Sequence, residues 1–293
     1  MAQITIRPLS GSLGAEITGV DLSDDLDNAT AADLHQAFVD HQAVFFPDQR
    51  LGPADMLRYV SRLGDPLVHP YLQSLDGFPA IHELRKTPDE RVNFGNIWHT
   101  DFTNLEHPSL ANALYAIETP DCGGDTLIMS MYEAYEALSP GMKALLDPLM
   151  AVHGRPASYQ QALADQSKRD STVTRGDEAG EQYGADVEAE VLHPVVRRHP
   201  ETGRRALYVN PGFTLRFEGM SEAESQPMLD FLYRHCERPE FGFRYSWRPQ
   251  TLGIWDNRCT MHYASNDYQG KLRVMHRMVV LESERPVGIE RRG

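Results

Sequence analysis

The chain has 293 residues, 41% hydrophobic and 24% charged, which is enough to bury a sizeable core and too apolar for a disordered polymer. Its formal net charge of −14 opposes nucleic acid and anionic membranes, whose phosphates need clustered Lys and Arg, but leaves room for a small anion held by a few local arginines. No apolar run reaches the length of a membrane span, and Met1 to Arg7 lacks the basic-then-apolar plan of a secretory signal. Three scattered cysteines (Cys122, Cys236, Cys259) with no Cys-x-x-Cys argue against a disulfide framework or structural zinc and fit a cytoplasmic protein.

In chain order, residues 3–22 alternate weakly and predict two short strands around Gly11 and Gly14. Thr30 is the expected N-cap of a first helix carrying Leu34 and Phe38 on one face. Ala43-Val44-Phe45-Phe46 predicts a buried strand stopped by Pro47, and Pro53 opens a second helix that Gly64 should end. Residues 65–97 carry loop signals and no sustained period. Leu110 to Ile117 predicts a core strand, the Gly123-Gly124 pair a sharp turn, and Thr126 to Met129 the next strand. Helices are expected after Ser130 (Glu133 three residues on), after Ser139-Pro140, and from Ser221 with Glu224 to about Cys236. Residues 157–190 are rich in Gln, Asp and Glu and predict a long insertion, either a spacer or a lid. Segments flanking Pro200-Glu201-Thr202-Gly203 predict a hairpin, with strands following near 242–247, 251–256 and 272–281. Short strands with few helices and no βαβ alternation predict one mainly β domain over 1–293 with flanking helices, a sandwich or jelly roll.

Chemistry concentrates in two places. In an extended Trp98-His99-Thr100-Asp101-Phe102, His99 and Asp101 point the same way, and such a pair cannot close a coordination sphere alone. Trp255 to His262 supplies a second imidazole. Two His and one carboxylate make the facial set of non-haem Fe(II) oxygenases, with positions left open. On the last strand Arg273 and Arg277 share a face, and burying two arginines on an apolar strand calls for an anion at each. Exposure of that face is the competing expectation.

The order His-x-Asp, Gly-Gly-Asp-Thr, Trp-Asp-Asn-Arg-x-x-x-His and then Arg resembles the taurine dioxygenase family, Fe(II)- and 2-oxoglutarate-dependent oxygenases, from Leu13 through Arg277. Leu13 to Leu22 and Ser130-Met131-Tyr132 are also similar to the phenoxypropionate (aryloxyalkanoate) dioxygenases. The resemblance implies a double-stranded β-helix with His99, Asp101 and His262 as iron ligands and with O₂ as oxidant. Thr126 and Arg273 should take the distal carboxylate of 2-oxoglutarate. It implies further that His69 and Arg277 hold the substrate's acidic group, and that Ser158, Tyr159 and Phe213 line its pocket. Tyr71 and Asn96 each stand one position away from a taurine-binding residue of the family, which puts taurine itself in doubt. The expected substrate is a small anionic organic molecule, an alkylsulfonate or aryloxyalkanoate-like acid, hydroxylated with release of succinate and CO₂. A homo-oligomer, dimer or tetramer, is the expected assembly. The alternatives are a same-fold oxygenase doing plain hydroxylation or desaturation of another small acid, and a non-catalytic metal-binding jelly roll, which leaves Arg273 and Thr126 unexplained.

Overall fold

The computed structural model describes residues 4–69, 72–155 and 190–289. Strands β1 (Thr5–Pro8) and β2 (Ala15–Thr18) lead into helix α1 (Asn28–His41), then β3 (Ala43–Phe46), α2 (Pro53–Val60) and the short strands β4 (Asp65–Pro66) and β5 (Ser74–Leu75). Next come β6 (Phe78–Lys86), β7 (Ser109–Glu118), β8 (Thr126–Ser130), α3 (Met131–Glu136), α4 (Pro140–Leu146) and β9 (Met150–His153). After the insertion follow β10 (Val191–Pro194), β11 (Val196–Arg198), β12 (Arg205–Leu207), β13 (Thr214–Phe217) and α5 (Glu222–Cys236). The chain ends with β14 (Gly242–Tyr245), β15 (Leu252–Asp256), β16 (Thr260–Ala264), β17 (Arg273–Leu281) and β18 (Val287–Gly288).

The larger sheet runs β1-β2-β3-β15-β7-β17-β6-β5, with β4 added beside β17; a smaller sheet runs β14-β8-β16. Strand β3 explains how they assemble. Its alternate residues Val44 and Phe46 turn outward, where Leu34 and Phe38 of α1 and Met56 and Val60 of α2 cover them. Ala43 and Phe45 turn inward, meeting Leu114, Trp255 and Met275 of their own sheet and Ile128 and Tyr245 of the smaller one. A strand covered on both faces is apolar throughout, which is why its sequence shows a run and no alternation. Two sheets closed face to face on one core make the expected jelly roll. A further cluster packs α3 and α5 against β9, β11 and β12.

Most expected elements are present, and the differences have local causes. Asp27, not Thr30, caps α1: its carboxylate accepts the Thr30 backbone N–H at 2.7 Å. Helix α2 stops at Val60 with Ser61 as its cap, short of Gly64. The hairpin forms with Val196 opposite Leu207, and the Ser221/Glu224 capping box forms in full. The largest omission is β6, within 65–97. It pairs with β17 along Arg273↔Lys86 to Arg277↔His82, and its buried His82 and Lys86 interrupt the apolar pattern that would have marked a strand. Apart from Glu190, the expected insertion at 157–190 lies outside the described residues, as does Tyr71.

Candidate active site

Backbone pairing joins the two remote motifs. His99 N–H donates to the His262 carbonyl at 3.0 Å and His262 N–H donates back at 2.8 Å, an isolated antiparallel bridge. His262 is held in register on β16 by β8, opposite Ile128. The two imidazoles therefore lie side by side, ring centres 4.2 Å apart, with Asp101 between their outer nitrogens. His99 Nε2 is 3.5 Å from Asp101 Oδ1, and His262 Nε2 is 3.5 Å from Asp101 Oδ2. All three residues are buried, and their ligand atoms lie within 4.8 Å of one another.

The proton positions test whether this set suits a metal. His99 Nδ1 lies 2.7 Å from the Ile97 carbonyl. A carbonyl only accepts, so Nδ1 carries a proton, and the tautomer with no second proton presents the Nε2 lone pair to a carboxylate oxygen. Two acceptors facing one another in a buried site call for a cation between them, so the residues fit a divalent metal. On the other side the Trp255 indole donates to His262 Nδ1 at 3.2 Å. Ligation through Nε2 would put the ring proton on Nδ1, the tautomer that does not accept from this indole. Burial, reinforced by His99, holds His262 well below the usual imidazole range. Burial pushes Asp101 the opposite way, but Arg277 and the two imidazoles outweigh it and hold the carboxyl well below the usual carboxylate range.

Arg277 is the near wall. Its Nη2 meets Asp101 Oδ1 at 2.6 Å and its Nε donates to Asn112 Oδ1 at 3.3 Å. Asn112 in turn donates from Nδ2 to Asp101 Oδ2 at 2.6 Å. The Nε/Nη2 edge is thus taken by the protein, while Nη1 has no hydrogen-bond partner. The guanidinium lies 5.6 Å from the Phe94 ring centre and 5.8 Å from that of Phe102. His69 sits against the same Phe102 at 5.2 Å between ring centres, with its backbone N–H donating to His82 Nε2. Burial and then Arg277 keep the His69 ring neutral.

Arg273 lies four residues from Arg277 on the same face of β17. It is 7% exposed, and its Nε and Nη2 have no hydrogen-bond partner. That free edge has the geometry a planar carboxylate takes with two parallel bonds. Gly124, at φ +71°, lets the 121–126 turn lie flat on it: a Cβ there would stand 3.0 Å from Arg273 Cδ. The turn delivers Thr126, whose Oγ1 accepts from the Trp247 indole at 2.9 Å. An indole only donates, so the threonine O–H is not spent in that contact.

Of the remaining expected residues, Phe213 is buried in the turn that lies over His99. The adjacent Gly212 has room for no side chain, its Cβ position being 2.8 Å from His99 Cβ. Gly95 faces the His99 ring, where an added Cβ would stand 3.3 Å from Cε1, and Asn96 beside it is half-buried. Tyr71, Ser158 and Tyr159 lie outside the described residues. Sequence reasoning missed Phe94, Asn112 and the unusual Phe102, at φ +52°. Only Asn112 left a signal, being a polar residue inside the apolar run Leu110–Ile117. A second cluster, His199, Asp256 and Cys259, has ligand-type atoms equally close together. Asp256 is already saturated there by Arg258 and His199, and burial pushes the Cys259 thiol well up. It clamps the turn that carries His262.

A mainly β jelly roll that gathers two histidines and one carboxylate in its interior, with two buried arginines on one strand, defines the oxygenase class of non-haem metal sites. Residues 5–279 match the family described as "Taurine catabolism dioxygenase TauD, TfdA family". The chain belongs to that family and is a 2-oxoglutarate-dependent dioxygenase. It is 35% identical over 289 residues, 98% of this chain and 92% of the relative, to the alpha-ketoglutarate-dependent sulfate ester dioxygenase of Pseudomonas putida. Identity is 31% to the (S)-phenoxypropionate/alpha-ketoglutarate-dioxygenase of Sphingobium herbicidovorans, covering 92% of both chains. Among solved structures, a taurine dioxygenase from Burkholderia xenovorans superposes with a TM-score of 0.78 at 30% identity, covering 98% of this chain and 97% of that one. Among the described residues no helix is long and apolar enough to cross a membrane.

Proposed function

We propose that the chain oxidises a small alkyl sulfate or sulfonate at the carbon bearing the anion, using Fe(II), 2-oxoglutarate and O₂. The observation that carries this reading is the pairing of a buried His99/Asp101/His262 set with a buried guanidinium edge on Arg273 that lacks a hydrogen-bond partner. The Arg273 edge calls for a carboxylate, which a keto diacid provides, while Arg277, already paired with Asp101, keeps Nη1 for an anionic substrate. When bound, Fe(II) supplies the oxidative decarboxylation of 2-oxoglutarate to succinate and CO₂ and the insertion of one O₂ oxygen into a C–H bond. Hydroxylation next to a sulfate ester gives a hemiacetal-like product that collapses to an aldehyde and hydrogensulfate. Atoms balance with one 2-oxoglutarate and one O₂ consumed per substrate.

The protein's part is placement. Arg273 and Thr126 grip the distal carboxylate, and His99, Asp101 and His262 hold the metal. Arg277 offers Nη1, and His69, packed on the same Phe102 ring, is the second residue expected at the anion. With its Nε/Nη2 edge taken, Arg277 cannot offer the two parallel bonds a planar carboxylate prefers, which favours a tetrahedral oxyanion. The sulfate ester relative supports the same choice. Phe94 and Phe102 line the approach with apolar surface and keep water from the reacting carbon.

The test is anaerobic addition of Fe(II) and 2-oxoglutarate, followed by visible spectroscopy and then by succinate release across a panel of alkyl sulfates, sulfonates and phenoxy acids. A weak metal-to-ligand charge-transfer band and succinate release triggered by sulfates or sulfonates are expected. Absence of the band defeats the cofactor reading. Release triggered only by phenoxy acids leaves the cofactor reading standing and overturns the choice of substrate.

A further inference from the structure

An asparagine in the middle of a core strand is expensive unless both ends of its amide are used. Asn112 is 2% exposed on β7, and both ends are used within one closed ring of three side chains. Its Nδ2 donates to Asp101 Oδ2 at 2.6 Å, its Oδ1 accepts from Arg277 Nε at 3.3 Å, and Arg277 Nη2 closes the ring on Asp101 Oδ1 at 2.6 Å. A carboxamide is the side chain of this size that donates on one side and accepts on the other. Aspartate would bring a second anion to Asp101, and leucine would leave both neighbours short of a partner.

The ring links two parts with different jobs. Asp101 stands in the loop after the His99 bridge, and Arg277 stands on β17. Asn112 is held from both sides by backbone ladders, opposite Trp255 on β15 and opposite Val279 on β17. It is therefore the rigid reference against which the loop carboxylate and the strand guanidinium are both set. Accepting the proposed function above, we propose that Asn112 is a positioning residue that fixes the distance between the metal carboxylate and the anion-gripping arginine. It thereby keeps 2-oxoglutarate consumption coupled to oxidation of one particular substrate carbon. Its effect is geometric: a misplacement of about 1 Å at the reacting centre costs on the order of a hundredfold in rate.

Two variants test this, each compared with the wild type for Mn(II) affinity, substrate KM, kcat and the ratio of succinate to oxidised product. Asn112→Ala frees both partners. Mn(II) affinity should fall about tenfold, as losses of groups that orient a metal ligand usually do. The succinate-to-product ratio should rise several-fold above the wild-type value near one. Asn112→Asp keeps the volume and the bond to Arg277 but repels Asp101. It should raise substrate KM more than Asn112→Ala does, because Arg277 is then held between two carboxylates. Variants that keep the wild-type ratio and KM while losing only thermal stability would show a packing role and overturn the proposal. So would unchanged Mn(II) affinity in both. A wild type that binds Mn(II) yet never couples succinate release to any sulfate, sulfonate or phenoxy acid would instead sink the functional reading, and this proposal with it.

Discussion

Replacing Arg273 by Met separates ligand binding from folding, because the two should move in different directions. The guanidinium is buried, and its Nε and Nη2 have no hydrogen-bond partner. Burial already drags its pKa down, with Tyr268 and Asp125 opposing only in part. Such a group is a cost to the protein without its ligand, so an apolar side chain of similar length should leave stability unchanged or raise it slightly. With the keto diacid present the balance reverses. Hydrogen bonds to a charged group are each worth about 1.5–3 kcal/mol, and losing a bidentate pair should remove at least about 3 kcal/mol of binding. That corresponds to roughly a hundredfold rise in the 2-oxoglutarate Kd. Calorimetric titration of 2-oxoglutarate into the Mn(II)-loaded protein measures the binding, and thermal melts without ligand measure the stability. A Kd within threefold of wild type, or a variant whose ligand-free Tm drops by many degrees, would refute the reasoning.

Three other outcomes follow from the same geometry. Gly124→Ala should cost about 1–2 kcal/mol from its left-handed backbone alone and also weaken 2-oxoglutarate, since the new methyl meets Arg273 Cδ at 3.0 Å. Gly203→Ala, at φ +68° with open space around it, should show the stability loss in a melt without the binding loss. Arg277→Gln should raise substrate KM by roughly ten- to a hundredfold. Because Arg277 also partners Asp101, Mn(II) affinity should fall in the same variant, which calorimetry would register. Acid should loosen the fold through its buried histidines. His193 is pulled down to about 4 by burial, while in the unfolded chain it titrates near 6.5. Between those values the unfolded state binds the extra proton, so stability falls as pH drops through that window, by about 2 kcal/mol at pH 5 from this residue alone. Urea melts at pH 7 and pH 5 should show the loss, and His193→Gln should reduce it.

Where the sequence repeats a simple period, it reads correctly. Strand β3 and strand β17 are examples, the latter because alternation alone put Arg273, Met275 and Arg277 on one face. Met275 does point into the core between the sheets, and both arginines follow it out of water. Strand β6 fails for the opposite reason. Its polar residues are buried by partners far away in sequence: His82 receives the His69 backbone N–H, and Lys86 stacks over the Tyr268 ring at 4.7 Å. A pattern rule treats such residues as solvent-facing, because their compensation lies outside the window.

The same distinction governs the site. His99, Asp101 and His262 are legible because a metal imposes residue types and spacings that leave a mark on the sequence, even across the 160 residues that separate Asp101 from His262. Arg277 is legible as a buried cation, but its first partner is not. Expecting a substrate anion there overlooks that Asp101 takes its Nη2 at 2.6 Å and Asn112 its Nε. The two arginines therefore differ in kind. Arg273 keeps a whole edge for a ligand, whereas Arg277 is built into the metal site and lends only what remains. On the proposed reading, a substrate that pulls on Arg277 also pulls on Asp101, so anion binding and metal geometry would be one mechanical problem. No spacing rule reveals that, because it depends on which of two like residues on one strand stands nearer to a loop carboxylate.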